Sequence, residues 1–147
     1  MPEYDRNAVV FYVDETSDLP IWVQLRNRIA YLIRTGHYAA GEQLPSVRSL
    51  AAEASINYNT VTKAYRDLEL SGLIVSLRGR GMFVQKKIAF EDDGREAADA
   101  LMDSCLQQYR SCGMTFQEIR ERVISLIEER ESTAIKANKE RREYETL

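Results

Sequence analysis

The stretch INYNTVTKAYRDLELSGLIVSLRGRGMFV, residues 56 to 84, decides how the chain is read. Its first half repeats at helical spacing. Val61, Ala64, Tyr65 and Leu68 fall on one face, Asn57 offers a side-chain oxygen to the first turn, and Gly72 stops the helix near Ser71. Its second half changes period. LIVSL and MFVQK read as two short strands around RGRG, with glycines where a tight hairpin needs positive φ. A Gly-Arg-Gly tip buries little and projects charge, which suits an anionic partner better than a core.

Upstream, Ser46 can cap a short helix, VRSLAAEA, whose Val47, Leu50, Ala51 and Ala54 point inward. HYAAGEQLP before it is a loop turning at Gly41 and Pro45. TSDLPIWVQLRNRIAYLIRTG is a first helix, with Asp18 or Ser17 as cap, Pro20 in the first turn and Gly36 at the end. Its Ile21, Trp22, Leu25, Ile29, Leu32 and Ile33 form a core face. AVVFYVDE, residues 8 to 15, is rich in β-branched and aromatic residues and predicts a strand.

Downstream, EDDG is an acidic break. Residues 95 to 110 then place Ala98, Leu101, Met102, Cys105, Leu106 and Tyr109 on one stripe, with Gly113 past the end. Thr115 and Glu118 have capping-box spacing, and Met114 and Ile119 occupy the staple positions. Phe116, Ile119, Val123, Leu126 and Ile127 continue an apolar face. Beyond Glu128 the chain is almost wholly polar, so this last helix is expected to run on exposed or to fray.

The fold class that follows is mainly α with a small β wing. Residues 1–90 form a winged helix-turn-helix and residues 91–147 a two-helix dimerisation segment with a polar tail. The chain has 147 residues and a net charge of −3, but the charge is uneven. Residues 45–87 hold seven Lys/Arg against three acids, whereas residues 91–147 hold nine against fourteen. One half is set up to meet an anion and the other to do something else. No run of about 18 apolar residues exists, and the N-terminus has no export-signal layout, so the cytoplasm is the expected compartment and no membrane partner is expected. Cys105 and Cys112 lie about 10.5 Å apart along a helix, too far for a disulfide within it, and are expected as buried or half-buried thiols. His37 is the single histidine and lies far from both, so no metal site is expected.

Three helices and a hairpin with a short turn between the second and third helices can dock on duplex DNA. The third helix enters the major groove and presents Tyr58, Asn59, Thr62 and Lys63. Asn59 suits adenine, Thr62 suits thymine, and Lys63 suits a phosphate or guanine. The Asn57 and Thr60 region adds donors to phosphate. Arg48 faces away from Leu50 and Ala51, where it can clamp a phosphate or reach the groove edge, and Ser46 can donate beside it. Arg78, Gly79, Arg80 and Gly81 form a wing for the minor groove or its phosphates. Tyr65 is expected in the core, Arg66 as an exposed partner for acids, and Tyr58 either on the hairpin or at the DNA.

Residues 44 to 84, LPSVRSLAAEASINYNTVTKAYRDLELSGLIVSLRGRGMFV, resemble the DNA-binding domain of the GntR family of bacterial transcription regulators. PIWVQLRNRIAYLIRTGHYAAGEQLPS is similar to that family's leading helix and its approach to the second, so the resemblance covers residues 19 to 85. It implies that Arg48 and the start of the third helix contact an operator with the wing in support. Many members have Ser-Arg where Asn57-Tyr58 stand here; NYNTVTKAYRDL instead resembles the YtrA-type branch, which often has proline at position 58. Larger members carry effector domains of well over 100 residues. About 57 residues follow the wing here, and two helices cannot enclose a ligand cavity of several hundred Å³. The implied solution is pairing of Leu101, Met102, Cys105, Leu106, Tyr109, Phe116, Ile119, Val123, Leu126 and Ile127 with a second copy. A homodimeric repressor on a palindromic operator is expected, by analogy at an operon for membrane transport or envelope stress, with no cofactor. The alternative is a winged-helix protein-interaction module that binds no DNA. No nucleophile–base pair, metal cluster or phosphate loop can be assembled, so no enzyme is expected.

Overall fold

A computed structural model describes Val9, residues 11–87 and residues 94–145. The expected boundary after residue 90, most of the acidic break and part of the 8–15 segment lie outside the described residues. In order, the elements are α1 (Ile21–Arg34), α2 (Val47–Ala54), α3 (Tyr58–Leu70), β1 (Ile74–Leu77), β2 (Gly81–Val84), α4 (Arg95–Ser111) and α5 (Phe116–Glu145). The chain divides into two compact units. One is Met1–Ala89 with Ala137–Leu147; the other is Phe90–Lys136.

In the first unit α3 is the central element, packing on α1, α2 and β1. Its inward residues Val61, Ala64, Tyr65 and Leu68 are buried with Leu25 and Ile29 of α1, Leu50 of α2, and Ile74 and Val84 of the strands. The caps follow the sequence. Ser46 Oγ accepts from Ser49 N at 3.1 Å, and Asn57 Oδ1 accepts from Asn59 N at 2.8 Å. Arg26 Nε donates to Asp67 Oδ2 at 2.8 Å, an ion pair that fixes α1 against α3. The two strands are antiparallel, with Ile74 opposite Val84 and Leu77 opposite Gly81.

Two expectations for the N-terminal part change. Residues 11–13 form no strand, although Phe11 and Val13 are buried and Tyr12 is exposed. Alternation of that kind reports a pleated backbone with one covered face; a strand also needs a partner for its backbone groups. Helix α1 starts at Ile21, so Pro20 precedes it as the N-cap, and neither Asp18 nor Ser17 caps it. Ser17 Oγ instead accepts from Leu19 N at 3.1 Å. Gln24 does the fastening: its Oε1 accepts from Asp14 N at 2.8 Å, and its Nε2 donates to Leu19 O at 2.8 Å.

In the second unit α4 and the start of α5 join through Gly113, at φ +90°. The capping box forms, with Glu118 N donating to Thr115 Oγ1 at 3.2 Å and Thr115 N to Glu118 Oε1 at 3.3 Å. Both cysteines are free and exposed, contrary to the buried or half-buried thiols expected: Cys105 lies on α4, which has no buried residue, and Cys112 is its C-cap. The end of α5 also departs from a solvated or frayed tail. The helix continues to Glu145, and Asn138 within it is buried. Among the described residues no helix is long and apolar enough to cross a membrane.

Candidate nucleic-acid interface

The start of α2, the middle of α3 and the wing are tied together by a short relay of hydrogen bonds. Residues 41–44 run alongside β2: Gly41 N donates to Val84 O, Val84 N to Glu42 O and Leu44 N to Met82 O, at 2.8–2.9 Å. Gln43 Nε2 then reaches the hairpin tip and donates to Arg80 O at 2.9 Å. One residue past this ladder, Pro45 O accepts from the Tyr65 hydroxyl of α3 at 2.6 Å. Ser46, next in the chain, caps α2. The wing, the start of α2 and the middle of α3 thus share one scaffold.

Tyr65 can keep this role because its phenol stays protonated. Burial, with smaller contributions from Tyr38 and Glu53, pushes its pKa well above the ordinary tyrosine range. At the tip, Arg80 N donates to Leu77 O at 2.9 Å and Gly79 sits at φ +76°, a turn position that favours glycine. Arg78, Arg80 and Gly81 are exposed. Gly81 has φ +115°, and a Cβ there would lie 2.9 Å from Gln43 Nε2. Gly81→Ala is therefore expected to cost about 1–3 kcal/mol through backbone strain and displacement of the Gln43 brace. Urea unfolding of both chains checks this.

Of the predicted contact residues, Ser46, Arg48, Asn57, Tyr58, Asn59 and Lys63 are exposed, and Thr60 and Thr62 are half-buried. Their local partners define what each can still offer. Ser46 and Asn57 each use one oxygen lone pair as a cap, which leaves the hydroxyl proton of Ser46 and the amide protons of Asn57 as donors. Thr62 Oγ1 donates to Tyr58 O at 3.0 Å, so its methyl group and its two oxygen lone pairs are what it can present. The Lys63 ammonium lies 4.7 Å from the centre of the Trp22 ring of α1, a cation–π contact that anchors it at the surface. Tyr58 is exposed instead of being packed on the hairpin.

The predicted dimerisation residues separate into three groups by exposure. Leu101 is 70% exposed and Ile127 57%; Met102, Cys105 and Phe116 are also exposed. Leu106, Tyr109, Val123 and Leu126 are half-buried, whereas Ile119 is buried within its own chain. The Phe116 ring also carries the Arg110 guanidinium at 4.5 Å. Ile124 and Ile135 add exposed apolar surface that the periodicity of the first face did not select. Sequence reading also missed the Gln43 brace; no local pattern marks a glutamine that reaches a carbonyl 37 residues away. Among the described residues no group of three or more His, Cys, Asp or Glu is placed to hold a metal.

Residues 23–84 match the family profile described as bacterial regulatory proteins, gntR family. The chain is 42% identical over 74 residues to the transcriptional repressor YtrA of Bacillus subtilis, covering 50% of this chain and 57% of that protein. It is 35% identical over 108 residues to the transcriptional regulator Rv1152 of Mycobacterium tuberculosis, covering 70% of this chain and 82% of that one. The solved structure of YtrA from Sulfolobus acidocaldarius, a GntR-family transcription factor, superposes with a TM-score of 0.50 at 30% identity, over 68% of this chain and 99% of that one. These chains are regulators, not enzymes. The relay around Tyr65 and Gln43 is therefore the scaffold of a DNA-binding domain, and the chain belongs to the GntR family of bacterial transcription regulators, on its YtrA-type branch.

Proposed function

We propose that the chain is a homodimeric repressor that recognises a palindromic operator through α3, α2 and the wing. The observation that carries this reading is the relay that joins Arg80 to Gln43 and Pro45 to Tyr65, because it gives charged and polar groups from three elements a common support. Asn59 reads adenine in the major groove, Thr62 offers its methyl group to thymine, and Lys63 takes a phosphate from its anchored position on Trp22. Ser46, Asn57 and Thr60 donate to phosphates at the two helix starts, with Tyr58 beside them, and Arg48 clamps the backbone. Arg78 and Arg80 grip the minor-groove edge while Gly79 and Gly81 allow the close approach.

Dimerisation is supported by α4. A helix of 17 residues with an apolar stripe and no buried residue is marginal alone in water, and a second copy is the simplest cover. Twofold symmetry then spaces two recognition helices for two half-sites. Repression is the sign suggested by the Bacillus subtilis relative.

Selection of sites from random duplexes, followed by titration at rising salt, tests the reading. Affinity should fall steeply with salt for a chain that neutralises several phosphates. Flat or absent binding would favour a protein-interaction module. Arg48→Ala is expected to weaken operator binding by about 1–3 kcal/mol, measured by fluorescence anisotropy; an unchanged Kd would remove Arg48 from the site.

A further inference from the structure

The last turns of α5 belong to the same compact unit as the winged helix, and Arg141 within them has an unexpected set of partners. Its Nε lies 3.1 Å from Glu15 Oε1, in the turn before α1. Its Nη2 donates to Ser55 O at 3.5 Å and to Asn138 Oδ1 at 3.2 Å. Asn138 is the one buried polar side chain among the described residues, at 4% exposure, so this helix end is a packed contact. Ser55 is equally singular. It is the one non-glycine residue among those described with positive φ, at 52°, and it closes α2 with its N–H on Ala52 O while Ile56 N donates to Ala51 O. That left-handed residue is the corner between α2 and α3, a conformation that side-chain-bearing residues rarely keep unless their surroundings hold it.

We propose that Arg141 is a positioning residue for DNA binding: paired with Glu15 and set on the Ser55 carbonyl, it holds the corner that presents Arg48 and Asn59 to the duplex. This rests on the operator reading above. The guanidinium is suited to the task because its planar fork can serve a carboxylate and a carbonyl at once. A lysine has three donors but on a single nitrogen, so it cannot place one where Nε meets Glu15 and another where Nη2 meets Ser55 O, and is left to serve Glu15. Arg141 needs no contact with DNA in this role, which separates it from a phosphate-binding arginine.

The test uses the full chain and the duplex that it selects. Arg141→Ala should weaken binding about 5- to 30-fold while the slope of log K against log salt stays at its wild-type value. Arg141→Lys should restore the unfolding midpoint through Glu15 but not the affinity. Glu15→Gln combined with Arg141→Ala should bind no worse than Arg141→Ala alone, since both act through one pair. A slope smaller by about 0.9 would mean a lost phosphate contact and would overturn the positioning role. So would an unchanged Kd for Arg141→Ala, or full recovery of affinity by lysine. A wild-type chain that selects no duplex would sink the operator reading itself, whereas tight wild-type binding with an indifferent Arg141 would sink this inference alone.

Discussion

In the dimer proposed above, Leu101→Glu is expected to leave the chain monomeric and to weaken operator binding by about 10²–10⁴-fold, since one chain would then engage one half-site without the effective concentration supplied by its partner. Leu101 is the most exposed large apolar residue of the α4 stripe, so the charge costs the isolated chain little and costs a covered seam a great deal. Ile127→Glu on α5 should act alike. Ile119 would be a poor probe despite its place on the same apolar face. It is already buried within its own chain, beside the capping box, so a glutamate there would unfold the helix start before it reported on assembly. Sedimentation equilibrium decides the matter: persistent dimers in Leu101→Glu would place the interface elsewhere.

Leu68→Ala is expected to lower the stability of the winged helix by about 2–5 kcal/mol, the usual cost of a cavity at a fully buried leucine. Leu68 has no exposed surface and lies on α3, which packs on α1, α2 and β1. A domain of ordinary stability has about 5–15 kcal/mol in total, so such a loss unfolds a measurable fraction near growth temperature. Chemical denaturation should show the midpoint falling with little change in m-value. A loss below about 1 kcal/mol would mean that α3 is not the pivot of the core.

Helices α2, α3 and α5 were legible because each carried its own punctuation at the start. Asn57, Ser46 and the Thr115–Glu118 pair are local signals, and local hydrogen bonds form as soon as the first turn does. The core face of α3 was legible for the same reason. What stayed hidden depends on contacts distant in sequence. The alternation of Phe11 and Val13 told which residues are covered but not whether another strand lay alongside. Gln24 and Gln43 read as ordinary polar residues, yet they fasten the entry to α1 and the tip of the wing. The polar composition after Glu128 hid a buried asparagine, because composition averages over a helix whose two sides meet different surroundings. Exposure of Cys105 and Cys112 escaped a rule that counts thiols as small hydrophobes, since no residue of α4 is fully buried.

The glutamine brace at the hairpin tip has a thermodynamic consequence. A free arginine-rich loop loses conformational freedom when it settles on a polyanion, and that loss subtracts from affinity. Here the loop is already ordered by folding, because Arg80 O is held by Gln43 at 2.9 Å. Calorimetry of the complex should accordingly show a small heat-capacity change, that of rigid surfaces meeting, and Gln43→Ala should make it more negative as the loop orders on contact.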